Sequence, residues 1–180
     1  EPRAVIFDEV HFGGFVNAYC CTGEYFFDIY PPHAKLIVAG AAAVLGYRGD
    51  QSFANINEPM DATSPLLFRS VPALAGSLIP VLVCGFLLQL GASRMAALLG
   101  GFAIALENGL LVQTRLLALD GILIAATLGA VMSAIAAMRA TRRLRRTHFA
   151  LASGALCGLA VGCKFTGLAA LGIVGAFVAC

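Results

Sequence analysis

Asp8 and Glu9 stand side by side near the start of the chain, followed closely by His11 and by the pair Gly13-Gly14. Two adjacent acids are the ordinary content of a solvated loop, but these are flanked by Val5-Ile6-Phe7 and Val10. A carboxylate held close to apolar surroundings gains affinity for a proton, which is what a general base needs. The two glycines allow backbone to approach a ligand closely. Asp8, Glu9 and His11 also offer donors to a divalent cation, but without a spaced fourth ligand this is a weak metal signature. The sequence requires no cofactor, and a divalent ion is the only candidate.

Four cations come next. Lys35, Arg69, Arg115 and Lys164 each border an apolar run. Singly, each reads as a side chain snorkelling to lipid headgroups. Converging at one membrane face, they would suit the phosphate of a lipid-linked substrate, which arginine forks bidentately and lysine meets as a point charge. Pro31-Pro32 supplies a rigid extended step ahead of Lys35 and a permissible helix start. Glu107 and Asn108 fall in the last turns of an apolar run. An acid there costs about 2.5 kcal/mol or more at the bilayer centre, so Glu107 is expected to face the bundle interior and pair with Arg69 or Arg115. That role is structural. Asp120 is expected to cap the helix it begins.

The elements that hold these groups are membrane helices. Apolar residues make up 59% of the 180 positions, charged residues only 12%, and the mean hydropathy is +0.86. An ordinary soluble domain has about 45–50% and 25%, respectively. The pattern predicts an all-α integral membrane protein. Residues 1–67 form a polar, aromatic-rich extracytoplasmic loop containing an interfacial helix at about 33–46, too short to span. Residues 68–180 form the bundle, with spans at about 71–90, 95–112, 119–138, 149–163 and 167–180, Pro80 kinking the first. Five arginines crowd into 139–146 (Arg139, Arg142, Arg143, Arg145, Arg146). Between two apolar runs they read as a cytoplasmic loop rather than a nucleic-acid patch, which places residues 1–67 outside. The six cysteines form no disulfide framework, since four lie in or beside apolar runs and Cys20-Cys21 has no recognisable metal or redox spacing. A chain that opens on Glu1 and stops within an apolar run reads as a fragment.

In order, FDEVHFGGFVNAY, YFFDIYPPHAK, LLFRSVPALAG, ENGLLVQTRLLALD and CKFTGL resemble the N-terminal half of the protein O-mannosyltransferases, membrane glycosyltransferases of the GT-C type. The resemblance covers most of residues 4–172. It implies a polytopic GT-C helix bundle whose first external loop carries the catalytic acid, Asp8, with Glu9 as the second acid. It further implies that Arg69 matches the family's essential arginine and that Arg115 and Asp120 belong to a later family block. Lys35, His11, Pro31 and Pro32 fall within its donor- or substrate-binding motifs. Tyr30 and Ala34 depart from the family's His-Pro-Pro-Leu-Gly-Lys, and Thr114 replaces a serine.

The resulting expectation is an inverting transferase that moves mannose from dolichyl or polyprenyl phosphate mannose to Ser or Thr hydroxyls, at the extracytoplasmic face. The fragment is expected to be inactive alone. Expected partners are the donor lipid, acceptor proteins, the bilayer and a homologous chain in a dimer; nucleic acid is not among them. The Ala/Gly-rich composition favours a bacterial plasma membrane, the endoplasmic reticulum being the alternative. Rival readings are a GT-C enzyme using another lipid-linked sugar, such as an arabinose-type donor, and a non-catalytic membrane protein. Transport is disfavoured because the charges are peripheral and no repeat is visible. A single cysteine placed near Asp8 should be labelled from the side of the membrane opposite Arg142, and labelling of both from one side would overturn this topology.

Overall fold

The computed structural model describes residues 3–61 and 64–179. Among them the ordered elements are α-helices with short π and 3₁₀ turns, and extended pairing is limited to an antiparallel bridge between Ala4 and Pro59. Two parts are distinguishable: a polar lobe built from the N-terminal third, and a bundle of apolar helices.

The lobe contains α1 (Glu9–Asn17), a π-helical turn (Ala18–Thr22) and α2 (His33–Val44). Residues 3–5 are tied to 57–60 by backbone bonds, Val5 N–H donating to Glu58 O and Asn57 N–H to Val5 O, each at 2.8 Å. Its core gathers Val5, Phe12, Val16, Val38 and Phe53 around Phe68. Tyr47 and Phe53 meet the Phe68 ring edge-on, at centroid separations of 4.8 and 5.1 Å, a favoured aromatic geometry. Phe68 belongs to the first turns of α3 (Ser64–Gln89), so the lobe and the bundle share one core. Cys20 and Cys21, adjacent in sequence, are joined by a disulfide that the absence of a recognisable spacing gave no reason to expect. Cys84, Cys157 and Cys163 are free.

The bundle comprises α3, α4 (Arg94–Ala105), α5 (Asn108–Thr114), α6 (Asp120–Arg139), α7 (Arg143–Cys163) and α8 (Leu168–Ala179). α3 and α6 are long and apolar enough to cross a membrane. The continuous span expected over 95–112 is instead broken: α4 and α5 meet at 59° and pass the same criterion only as a bent pair. α7 runs unbroken from Arg143, and Cys180, placed by the sequence reading at the end of the last span, lies outside the described residues, as do positions 62 and 63 of the expected polar loop. Many outward residues are large and apolar (Leu74, Val81, Leu98, Phe102), as befits helices whose surroundings are lipid rather than water.

Small residues let these helices approach. Ala126, Ala130, Cys157 and Ala160 line the seam between α6 and α7, where the buried Ser153 hydroxyl donates to Ala130 O at 2.9 Å. Without a hydrophobic drive between helices in lipid, such close packing and hydrogen bonding carry association. Arg139 donates to the carbonyl of Gln89, bringing the α3–α4 and α6–α7 turns together at one end of the bundle. Asp120 and Arg139 bound a 20-residue helix, which separates the two ends by about 30 Å.

Gly76 on α3 illustrates the constraint, because a Cβ there would lie 2.3 Å from Thr114 Cβ on α5. Overpacking of this kind costs about 1–3 kcal/mol. Gly76→Val should therefore lower the thermal-unfolding midpoint of the detergent-purified full-length protein, and an unchanged midpoint would show that α3 and α5 are not held this close.

Candidate active site

Glu9 and Asp8 are neighbours in sequence with opposite fates. Asp8 caps the start of α1 and Glu9 is its first residue; successive helical residues point about 100° apart, so one faces in and the other out. Glu9 is 1% exposed and Arg69, on α3, 2%. Arg69 Nε donates to Glu9 Oε1 at 2.8 Å and its terminal nitrogen to Oε2 at 2.7 Å. The backbone N–H of Leu117 donates to Oε1 at 2.9 Å and that of Ile6 to Oε2 at 3.0 Å. An ionised carboxylate has about four acceptor positions, and here all four are filled. The guanidinium also donates to Ala4 O at 2.9 Å. Glu9 therefore has no acceptor position left for a substrate, and the expected second acid is a strut instead.

Asp8 is exposed, with no side-chain cap bond. Phe7 before it adopts φ +50°, an uncommon conformation for a bulky residue that persists only where surroundings enforce it. The enforcement is visible: Ile6 N–H is held by Glu9 and Val5 by the 57–58 backbone. Asp8 lines two clefts. One, of about 30 Å3, is polar and bounded by Tyr30, Gln113, Asp120 and Lys164. The other, of about 330 Å3, is bounded by His11, Phe15, Phe27, Ile29 and Tyr30.

The cations do not all stand free. Lys35 is 1% exposed; it forms an ion pair with Asp28, donates to Tyr30 O at 2.9 Å and lies over the Phe15 ring. Burial pulls its ammonium down to about 8 from the usual 10.5. Lys35 and Arg69 are thus internal ties, correcting the expectation that both grip a ligand phosphate. Pro32 caps the start of α2 and, with Pro31, sets the chain from Tyr30 to Lys35. His33 packs on α7, where a Cβ on Gly162 would meet its ring.

Lys164 follows α7 and donates to Asp120 Oδ1 at 3.2 Å, while Gln113 donates to Asp120 Oδ2 at 3.0 Å. Its ammonium also lies 5.4 Å from the Tyr30 ring centre. Both members of this pair are more than a quarter exposed, so the ammonium retains donors for a ligand in the polar cleft. Arg115 is exposed at the end of α5, beside Gly76 and Thr114 in a separate cleft.

Two intramembrane expectations are overturned. Glu107 pairs with neither Arg69 nor Arg115; it is exposed and caps α5, accepting from Gly109 N–H at 2.9 Å and Leu110 N–H at 2.5 Å. The break after α4 bares the first N–H groups of α5, and the adjacent carboxylate satisfies them locally. Asn108 begins α5 and is exposed. Asp120 makes no cap bond, Leu119 holding the cap position, because its carboxylate is engaged by Lys164 and Gln113. Among the described residues no three His, Cys, Asp or Glu groups are arranged to hold a metal; Glu9 is turned away from Asp8 and His11. Gln113 and Tyr30 were missed as site residues, and only their adjacency to Thr114-Arg115 and to Pro31-Pro32 marked them.

Removing Arg69 leaves a buried, unpaired carboxylate, which costs about 3–5 kcal/mol. Arg69→Ala should unfold the full-length protein at markedly lower denaturant, and Arg69→Lys should not restore it, since an ammonium cannot replace the two-pronged contact. The Glu9→Ala, Arg69→Ala double variant should lose less than the sum of the singles. Additive losses would show that the pair is not coupled.

A family described as dolichyl-phosphate-mannose–protein mannosyltransferase matches residues 1–180. Protein O-mannosyltransferase 1 of Drosophila melanogaster is 33% identical over 96% of the chain, and dolichyl-phosphate-mannose–protein mannosyltransferase 1 of Saccharomyces cerevisiae 36% over 93%. The chain spans about a fifth of the length of these relatives (20% and 21%). The solved structure of the S. cerevisiae protein O-mannosyltransferase Pmt1-Pmt2 complex bound to the sugar donor is similar over 98% of this chain and 24% of its own. The TM-score is 0.92 at 35% identity. These relatives are eukaryotic, so the bacterial membrane favoured on composition finds no support. The family match spans the whole chain and the fold agrees with it, so the chain belongs to the dolichyl-phosphate-mannose–protein mannosyltransferase family.

Proposed function

We propose that the full-length protein transfers mannose from dolichyl or polyprenyl phosphate mannose to Ser or Thr hydroxyls of proteins, with Asp8 as the general base. The observation that carries this reading is the division of labour at residues 8 and 9. Glu9 is consumed by Arg69 and two backbone N–H groups, while Asp8 stands exposed at the mouth of a polar cleft holding Lys164.

A hydroxyl is a weak nucleophile and needs its proton removed as it attacks. In the proposed step that proton passes to the Asp8 carboxylate. The hydroxyl oxygen bonds to the anomeric carbon from the face opposite the phosphate, and the carbon–phosphate-oxygen bond breaks with inversion. One displacement suffices, so no second carboxylate is needed as nucleophile, in keeping with the occupied Glu9. Charge growing on the departing phosphate is met by Lys164; fixed charges aimed at developing charge are the strongest form of such help. The Glu9–Arg69 pair acts by positioning: it holds the turn at Ile6–Asp8 rather than touching the reactants.

The donor's prenyl tail needs access from lipid, and the exposed apolar faces of α3 and α4 are consistent with a site at the rim of membrane helices. The separation of the acid-rich lobe from the arginine-rich turn supports a non-cytoplasmic site. We place the protein in the endoplasmic reticulum membrane, in keeping with its eukaryotic relatives, and we infer that it pairs with a homologous chain, as the two chains of the Pmt1-Pmt2 complex do.

Asp8→Asn in the full-length enzyme should reduce mannosyl transfer to an acceptor peptide by about 100-fold or more, with the thermal-unfolding midpoint unmoved because the side chain is exposed. Wild-type turnover in this variant would remove Asp8 from the mechanism.

A further inference from the structure

The stretch between the π-helical turn and α2 alternates. Tyr25, Phe27 and Ile29 are 100%, 83% and 63% exposed. Their intervening neighbours turn inward. Phe26 stacks on Phe15 at 4.6 Å and meets Tyr19 edge-on, Asp28 pairs with Lys35, and Tyr30 packs near Phe12 and beneath Lys164. This is the two-residue period of a strand that is anchored on one face and open on the other. Yet it has no strand beside it: among the described residues, the backbone N–H and C=O groups of Tyr25 to Ile29 make no hydrogen bond. A row of unpaired backbone groups flanked by apolar side chains is a template for an added strand.

Its position gives that template a use. Phe27 and Ile29 line the 330 Å3 cleft that also contains Asp8 and His11. We propose that residues 25–29 form an edge to which the acceptor polypeptide adds as an extended strand, its hydroxyl reaching Asp8 through this cleft. This rests on the transfer reaction proposed above and assigns the acceptor to this cleft and the donor phosphate to the polar cleft with Lys164. Strand addition draws affinity from main-chain bonds that any sequence can make, while alternate side chains tune selectivity. It suits acceptors that share little beyond a hydroxyl. Charge agrees: Asp8 and Glu24 have no cation partner among the described residues, so neutral or basic acceptors fit the edge better than acidic ones.

The test uses the full-length enzyme in lipid nanodiscs, with dolichyl phosphate mannose and a short peptide of alanine and valine around one threonine. Phe27→Ser combined with Ile29→Ser removes two exposed side chains. It should raise KM for the peptide by about tenfold, roughly the effect of losing a modest apolar contact, leaving kcat and the donor KM unchanged. N-methylating the peptide backbone at every second residue should raise KM similarly, and methylation at the intervening residues should not, because only alternate N–H groups face one edge. An unchanged peptide KM in both experiments would overturn the proposal. So would a change confined to the donor KM, which would make the strip a lipid contact, or a fall in the unfolding midpoint without a change in peptide KM, which would mean that the enzyme's own chain covers it. Asp8→Asn reports separately on the underlying reaction. If that variant is inactive while peptide KM is insensitive to the strip, the transfer reading survives and only the acceptor edge fails.

Discussion

A buried ion pair between Glu9 and Arg69 governs this structure. Two charges withdrawn from water lose several kcal/mol of solvation each, and only good geometry with every remaining donor and acceptor satisfied offsets that. Here the second condition recruits the backbone. Leu117 and Ile6 donate to the carboxylate, and Ala4 accepts from the guanidinium. The pair thereby clamps three stretches distant in sequence: the N-terminal bridge with the start of α1, the first turns of α3, and the link between α5 and α6. It also determines what its neighbour does. With Glu9 directed inward and Phe7 at positive φ, Asp8 is left exposed where two clefts meet. Of two adjacent acids, one is committed to structure and the other is left exposed at the clefts.

The lobe that presents Asp8 is equally dependent on the bundle. Phe68, one residue before Arg69, is the hub on which Tyr47 and Phe53 pack, and Phe53 fills the space that a side chain at Gly13 would need. The first turns of α3 thus serve as a membrane-helix start and as the lobe's core at once. A second tie, Lys35 with Asp28 and the Tyr30 carbonyl, fastens the 23–32 stretch to α2. A third, Lys164 with Asp120 and Gln113, joins the ends of α6 and α7 at the floor of the polar cleft. Of the four cations bordering apolar runs, two are wholly internal and one is shared between structure and cleft. A rim cluster read from a sequence overstates the charge available to a ligand, because cations buried against acids, as Lys35 and Arg69 are, have their donors already engaged.

Charge is sorted along the long axis. Acids dominate the lobe, while Arg94 and the five arginines of 139–146 sit at the opposite end, where Arg139 bonds the carbonyl that closes α3. Between them the helices are apolar and rich in small residues, and their closest approaches, such as Gly76 at Thr114, depend on a missing Cβ. Helices long enough to cross a membrane thus separate the acid-rich lobe from the arginine-rich turns.

Composition and periodicity by themselves determined that this is an all-helical membrane protein whose acids gather in the N-terminal third. A run such as 71–90 can satisfy its backbone in lipid only as a helix. The DEVHFGG block, the double proline and the ENGLLVQTR block likewise carried the family resemblance without any coordinates. Only the tertiary structure decided which groups meet. Glu9 and Arg69 are 60 residues apart, and no local pattern says that Glu9 rather than Glu107 will claim the arginine. The bend after α4 made Glu107 a local cap instead. Helical propensity and hydropathy are short-range properties, readable along the chain. The pairing of buried charges is settled by which three-dimensional arrangement leaves none of them unsatisfied, and that is known only once the helices have packed.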